Sequence, residues 1–143
     1  MENDIGLNKI DRRDLSIFLL LLFLSIISSY IASRIQDFRN FYLKYPLTPI
    51  GIFDRFFGMF VSELFFRGFL LFGLSKKFGR WSIVLQDIPY ALMHIGKPIL
   101  EVPYSAVVGI LFGSINYRSK SFLPSFLLHA IGSEIFIIMV HLM

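Results

Sequence analysis

Three ionisable side chains lie inside strongly apolar stretches of this sequence, where they could carry out chemistry together. Glu63 lies in SELFFRGFL, His94 in PYALMH and His129 in LHAIGS. A carboxylate and an imidazole that share a water molecule can remove its proton for attack on a carbonyl carbon. A second imidazole with a neighbouring hydroxyl can stabilise the oxyanion that forms. These residue types therefore favour a hydrolytic site.

Each of the three has a partner one helical turn away. Arg67 follows Glu63 by four residues, Tyr90 precedes His94 by four, and Ser133 follows His129 by four. Residues at this spacing share a helix face, so Glu63 and Arg67 are predicted to form an ion pair. That pair could also be purely structural, and a histidine inside a membrane is often only hydrogen-bonded to a carbonyl group.

A metal site is the alternative for the same side chains. Two histidines and a glutamate could hold a zinc ion. The sequence contains no HExxH helix and no cysteine, however. We therefore predict metal-independent chemistry without a cofactor.

The composition indicates the environment of these side chains, which is a lipid bilayer rather than a soluble domain. Apolar residues make up 55% of the 143 residues and charged residues 17%, against about 45–50% and about 25% in soluble domains. This excludes a disordered chain and disfavours a soluble domain. The net charge of +4 fits cationic loops beside anionic lipid headgroups better than a nucleic-acid partner.

The apolar stretches predict an all-α, polytopic membrane protein of one domain, with about five transmembrane helices around a polar intramembrane cavity. Residues 1–14 form a polar segment, and a polar loop covers 33–49. Gly109 and Gly113 are predicted to form a close helix-packing site. For the first span, a cleaved signal peptide is the alternative. The predicted spans are 15–32, 50–75, 81–96, 99–117 and 121–143.

The cations predict the orientation. Eight lysines and arginines fall on the side of the N-terminus and four on the other side. The positive-inside rule then places the N-terminus in the cytoplasm, most simply at the cell membrane. At about 1.5 Å of rise per residue, Glu63, His94 and His129 come within about 8 Å of one another in height. Their helices can therefore converge on one cavity.

The order of these motifs resembles the CAAX protease and bacteriocin-processing (CPBP) family, whose members include intramembrane glutamate-type proteases. The family motifs are Glu-Glu-x-x-x-Arg, Phe-x-x-x-His and His-x-x-x-Asn. The resemblance covers residues 50–140 and departs from the family at Ser62 and Ser133. The corresponding segments here are Ser62 to Arg67, Tyr90 to His94 and His129 to Ser133.

The resemblance implies an intramembrane endopeptidase that cleaves a membrane-associated or prenylated, CAAX-type peptide. In the family, the first glutamate and the histidine of the second motif activate the water. Ser62 occupies that glutamate position here, so Glu63 is either the base or the partner of Arg67. His94 is then assigned to water activation, and His129 with Ser133 to the oxyanion.

Two rival functions remain open at this point. A catalytically impaired relative could keep the fold and bind a membrane peptide, as in bacteriocin immunity. A small ion or proton pathway is the other, favoured only by the buried charges. Membrane lipids and a membrane-associated peptide are the expected partners in the first two cases.

Overall fold

The computed structural model describes residues 12–143, which form helices and no strand. Of the predicted polar segment 1–14, only the last three residues lie within this range. The helices are α1 (Arg12–Ser33), α2 (Gln36–Tyr42), α3 (Pro49–Glu63), a π-helical segment (Leu64–Leu70), α4 (Leu71–Phe78), a 3-10 turn (Gly79–Trp81), α5 (Ser82–Leu92), α6 (Glu101–Ser119) and α7 (Leu123–Leu142).

Three helical stretches of the described residues are long and apolar enough to cross a membrane. They are Arg12–Ser33, Pro49–Leu92 and Leu123–Leu142. The second folds back on itself at the 3-10 turn, because the ring of Phe66 packs on that of Tyr90 with centroids 5.5 Å apart. This confirms the all-α, polytopic membrane class, while the count of five crossings stays a prediction.

Two predicted boundaries were wrong. The loop predicted over 33–49 contains helix α2, because Phe38 and Tyr42, one turn apart, both pack edge-on against Phe136 of α7. The span predicted over 81–96 ends at Leu92, and the chain then turns through Gly96 at a φ of 93°. A left-handed φ of this kind costs glycine little, so the chain can change direction there before α6.

Helices α5 and α6 pack closely and run antiparallel. A Cβ atom on Gly109 would collide with Asp87 and Tyr90, and one on Gly113 would lie 2.8 Å from Gln86 Nε2. The glycine pair is thus a close packing site, as predicted. The antiparallel arrangement puts the basic turns at 76–80 and 118–120 at one end of the bundle.

The start of α1 reaches that same end. Arg118 Nε donates to Asp14 Oδ1 at 2.8 Å, which ties the end of α6 to the start of α1. The cations at 12–13, 76–80 and 118–120 therefore lie at one end of the described residues.

Helix α3 is set against α7 by aromatic packing. Thr48 caps α3, since its side chain accepts from the Gly51 N–H at 3.2 Å, and Pro49 supplies a preset first helical φ. One turn before Glu63, the ring of Phe60 packs edge-on against Phe126 at 5.3 Å. This contact brings the end of α3 beside the first turns of α7.

Candidate active site

The carboxylate of Glu63 is the centre of a sealed polar network. Its Oε1 accepts from Arg67 Nη1 at 3.2 Å and lies 2.8 Å from His129 Nδ1. Its Oε2 accepts from the Ser125 hydroxyl at 2.6 Å. Glu63 is 0% exposed, so both oxygens are committed to protein partners. The predicted pairing of Glu63 with Arg67 is confirmed.

Arg67 lies in the π-helical segment and is also fully buried. Its Cζ lies 3.7 Å from the centre of the Tyr90 ring, a distance at which the cation and the aromatic face attract each other. Tyr90, predicted as a supporting residue, therefore packs directly against the guanidinium of Arg67. Segments of π-helix often mark functional sites.

Sequence reasoning missed two residues of this network. Asn116 Nδ2 donates to the Ser125 hydroxyl at 2.5 Å, and Asn116 Oδ1 accepts from the Ser125 N–H at 3.3 Å. The hydroxyl proton of Ser125 is then free to go to Glu63. Ser125 lies one turn before His129 on α7, and that spacing is the signal that could have found it.

His129 links the buried hydrogen-bond network around Glu63 to a cavity. A carboxylate only accepts hydrogen bonds, so His129 Nδ1 donates its proton to Glu63. The side chain is 25% exposed, and it lines a cavity of about 520 Å³. With Nδ1 engaged, Nε2 is the nitrogen left for a ligand.

His94 lies on another wall of the same cavity. Its Nδ1 is 2.9 Å from the carbonyl oxygen of Tyr90, and a carbonyl only accepts, so the proton is on Nδ1. The Tyr90 ring packs against both imidazoles, with its centroid 5.0 Å from that of His94 and 6.4 Å from that of His129. Both histidines therefore keep Nε2 available.

The cavity lies among α1, α2, α3, α5, α6 and α7, and α3 contributes Arg55 and Met59 to its wall. Ser133, one turn beyond His129, lines it. Glu63 does not reach its wall, so the expectation that Glu63 and the two histidines face one cavity holds for the histidines only. The apolar part of the wall includes Phe38, Leu100, Val108, Phe112, Phe136 and Ile137.

Ser62 occupies the position of the first motif glutamate. The Ser62 hydroxyl is buried and has no hydrogen-bond partner among residues 12–143. Glu63, with both oxygens occupied, does not take its place at the cavity. Within those residues, no group of three or more His, Cys, Asp or Glu side chains could hold a metal ion.

The fold and the site define a class of protein: a polytopic helical membrane protein whose histidines meet in a largely apolar cavity. The family model of the Rce1-like type II CAAX prenyl endopeptidases matches residues 45–133. This is more than half of the chain, so the chain belongs to this family of proteases, as the motifs indicated. No curated protein and no solved structure gave a significant match.

Proposed function

We propose that this protein is an intramembrane endopeptidase that hydrolyses a peptide bond of a membrane-associated or prenylated, CAAX-type substrate. Membership of a protease family supports the reaction class. The observation that carries the proposal is the place of His129, which touches the buried carboxylate of Glu63 at 2.8 Å and also lines the cavity.

The two histidines have different neighbours and therefore different roles. His129 donates Nδ1–H to Glu63, and in its doubly protonated form it also donates Nε2–H towards the cavity. His94 has only a carbonyl group on Nδ1, so its neutral form presents a lone pair at Nε2. His94 is the general base, and His129 is the oxyanion donor.

The reaction then proceeds in two steps. His94 Nε2 takes a proton from water, and the water oxygen bonds to the scissile carbonyl carbon. The oxyanion accepts from His129 Nε2–H and from the Ser133 hydroxyl. When this intermediate collapses, the carbon–nitrogen bond breaks and the leaving amine takes the proton from His94. Glu63 orients His129 and does not act as the base.

The cavity also suggests the kind of substrate. Its volume of about 520 Å³ falls in the range of about 300–1,000 Å³ that small-molecule pockets have. The apolar side chains on its wall suit a prenyl or acyl chain next to a peptide bond.

The proposed location is the cell membrane. We place the end that carries the basic turns in the cytoplasm, because lysine and arginine cluster at that end.

The test is cleavage of a farnesylated CAAX-type peptide in lipid vesicles by the purified, reconstituted chain. His94→Ala should lower the rate about 10²–10⁴-fold, the usual contribution of a general base. His129→Ala should lower it about 10²–10³-fold, as the loss of one oxyanion donor does.

His141→Ala is the matched control. Nδ1 of His141 contacts the carbonyl oxygen of Ile137 four residues earlier, at 2.9 Å, the same local bond that His94 makes, yet His141 does not line the cavity. Cleavage by this variant should equal that of the unmodified protein. A His94→Ala variant as active as the unmodified chain would refute the mechanism.

A second function is favoured by one observation, the serine at position 62. If the folded, unmodified protein binds the farnesylated peptide but cleaves none of it, the chain is a binding protein of this family, as in bacteriocin immunity. Ser62→Glu combined with Ser133→Asn should then create cleavage. In an enzyme, the same double change should raise an existing rate.

A further inference from the structure

The guanidinium of Arg67 has more donors than the sealed network uses. Nη1 donates to Glu63. Nε and Nη2 are buried and have no hydrogen-bond partner among the described residues. A buried charged group with unused donors is costly, so a further hydrogen-bond acceptor next to these nitrogens would stabilise Arg67.

Acceptors without partners lie on the neighbouring helix. Asp87 Oδ1 and Gln86 Oε1 of α5 are buried and have no hydrogen-bond partner within residues 12–143. Asp87 precedes Tyr90 by one turn, and a Cβ on Gly109 would touch both Asp87 Oδ1 and the Tyr90 ring. Arg67 lies over that same ring. The unpaired donors of Arg67 and the unpaired oxygen of Asp87 therefore both lie near the Tyr90 ring.

We propose that a buried, hydrated site lies among the π-helical segment, α5 and α6, and that its water molecules link Arg67 Nε and Nη2 to Asp87 Oδ1 and Gln86 Oε1. Buried water typically makes about three hydrogen bonds to polar groups that have no other partner. Asp87 is thus the second counter-ion of Arg67, beside Glu63.

The proposed water molecules link Asp87 to Arg67, and Arg67 and His129 both donate to Oε1 of Glu63. Asp87 is then a positioning residue, because it acts on His129 through Arg67 and Glu63. This consequence for cleavage rests on the proposed function, whereas the hydrated site does not.

The test uses the full chain in lipid nanodiscs and two readouts that need no activity. The first is the Nε resonance of Arg67 in protein labelled with ¹⁵N-arginine, assigned by its loss in Arg67→Lys. Asp87→Asn should shift this resonance. The second is thermal unfolding of Asp87→Asn in the unmodified and in the Arg67→Lys background. The drop in Tm should be clearly smaller in the second background, where Nε and Nη2 are absent.

Glu134→Gln is the control, because Glu134 pairs with a different guanidinium, that of Arg55, at 2.8 Å. It should leave the Arg67 resonance in place, and its effect on Tm should be the same in both backgrounds. An unmoved Arg67 resonance in Asp87→Asn, or an equal drop in Tm in both backgrounds, would overturn the hydrated site. If the folded, unmodified protein cleaves no peptide, that result would overturn the proposed function and leave the hydrated site standing.

Discussion

Two glutamates organise the polar contacts of this protein in a similar way. Glu63 accepts from Arg67 four residues later and from two side chains of α7. Glu101 accepts from Lys97 four residues earlier, at 2.9 Å, and from the Tyr42 hydroxyl, which is 2.6 Å from each of its oxygens. We call the second group the rim cluster, since Tyr42, Lys97 and Glu101 all line the cavity.

The two clusters differ in their access to water. The side chains of Glu63 and Arg67 are 0% exposed, whereas those of Lys97 and Glu101 are 34% and 11% exposed. Exposed charges can be rehydrated when a partner is lost, so exposed ion pairs contribute only about 0–1 kcal/mol. A buried charge left alone cannot, and breaking such a pair costs about 3–5 kcal/mol. The same contacts therefore carry very different weight in the two places.

The largest effect is expected for Arg67→Met. Methionine fills part of the volume but leaves the carboxylate of Glu63 without its cation, so the free energy of unfolding should fall by about 3–5 kcal/mol. Reversible unfolding in detergent measures it. Lys97→Met, which removes the partly exposed cation of the rim cluster, is the matched change and should cost clearly less, about 1 kcal/mol, because Glu101 keeps the Tyr42 hydroxyl. Equal losses for the two variants would contradict the comparison.

A smaller effect is expected when a methyl group is added at the close contact between α5 and α6. The Cβ of Gly109→Ala would collide with Asp87 and Tyr90, and overpacking of this kind costs about 1–3 kcal/mol. Gly73→Ala in α4 meets nothing within 4 Å, and should be neutral or stabilising by up to about 1 kcal/mol. The melting temperatures of the two alanine variants give the sign directly. A Gly109→Ala variant as stable as Gly73→Ala would show that α5 and α6 have room to separate.

Local spacing predicted the part of the site that lies within single helices. The ion pair of Glu63 with Arg67 and the contact of Tyr90 with His94 each join residues four apart. The contact of Glu63 with His129 joins residues 66 positions apart. It depends on the packing of α3 against α7, which no helical period specifies. For this reason the sequence predicted Glu63 at the cavity, whereas in the structure only its partner His129 lines the cavity.

The rim cluster could not be predicted for a related reason. Residues 36–42 are polar and mixed in character, and seven residues are too few for a helix that is stable alone. Helix α2 is held by the packing of Phe38 and Tyr42 against Phe136 of α7. Its contact with Glu101 joins residues 59 positions apart. Only the assembled bundle brings these groups together.

The smallest effect belongs to this rim. Tyr42→Phe removes the hydroxyl that donates to Glu101, and should cost about 1 kcal/mol at neutral pH, the usual net value of a hydrogen bond. Burial, and then the hydrogen bond to the Glu101 carboxylate, raise the pKa of the Tyr42 phenol above its usual value. A folded-state pKa above the unfolded value means that the stabilisation is complete below about pH 10 and is lost as the pH rises beyond it. Other tyrosines and lysines titrate in both proteins, so the difference in Tm between the unmodified chain and Tyr42→Phe isolates the Tyr42 phenol. That difference in Tm should be constant from pH 7 to pH 9 and shrink towards pH 11. A difference that stays constant up to pH 11 would mean that the phenol does not donate to Glu101.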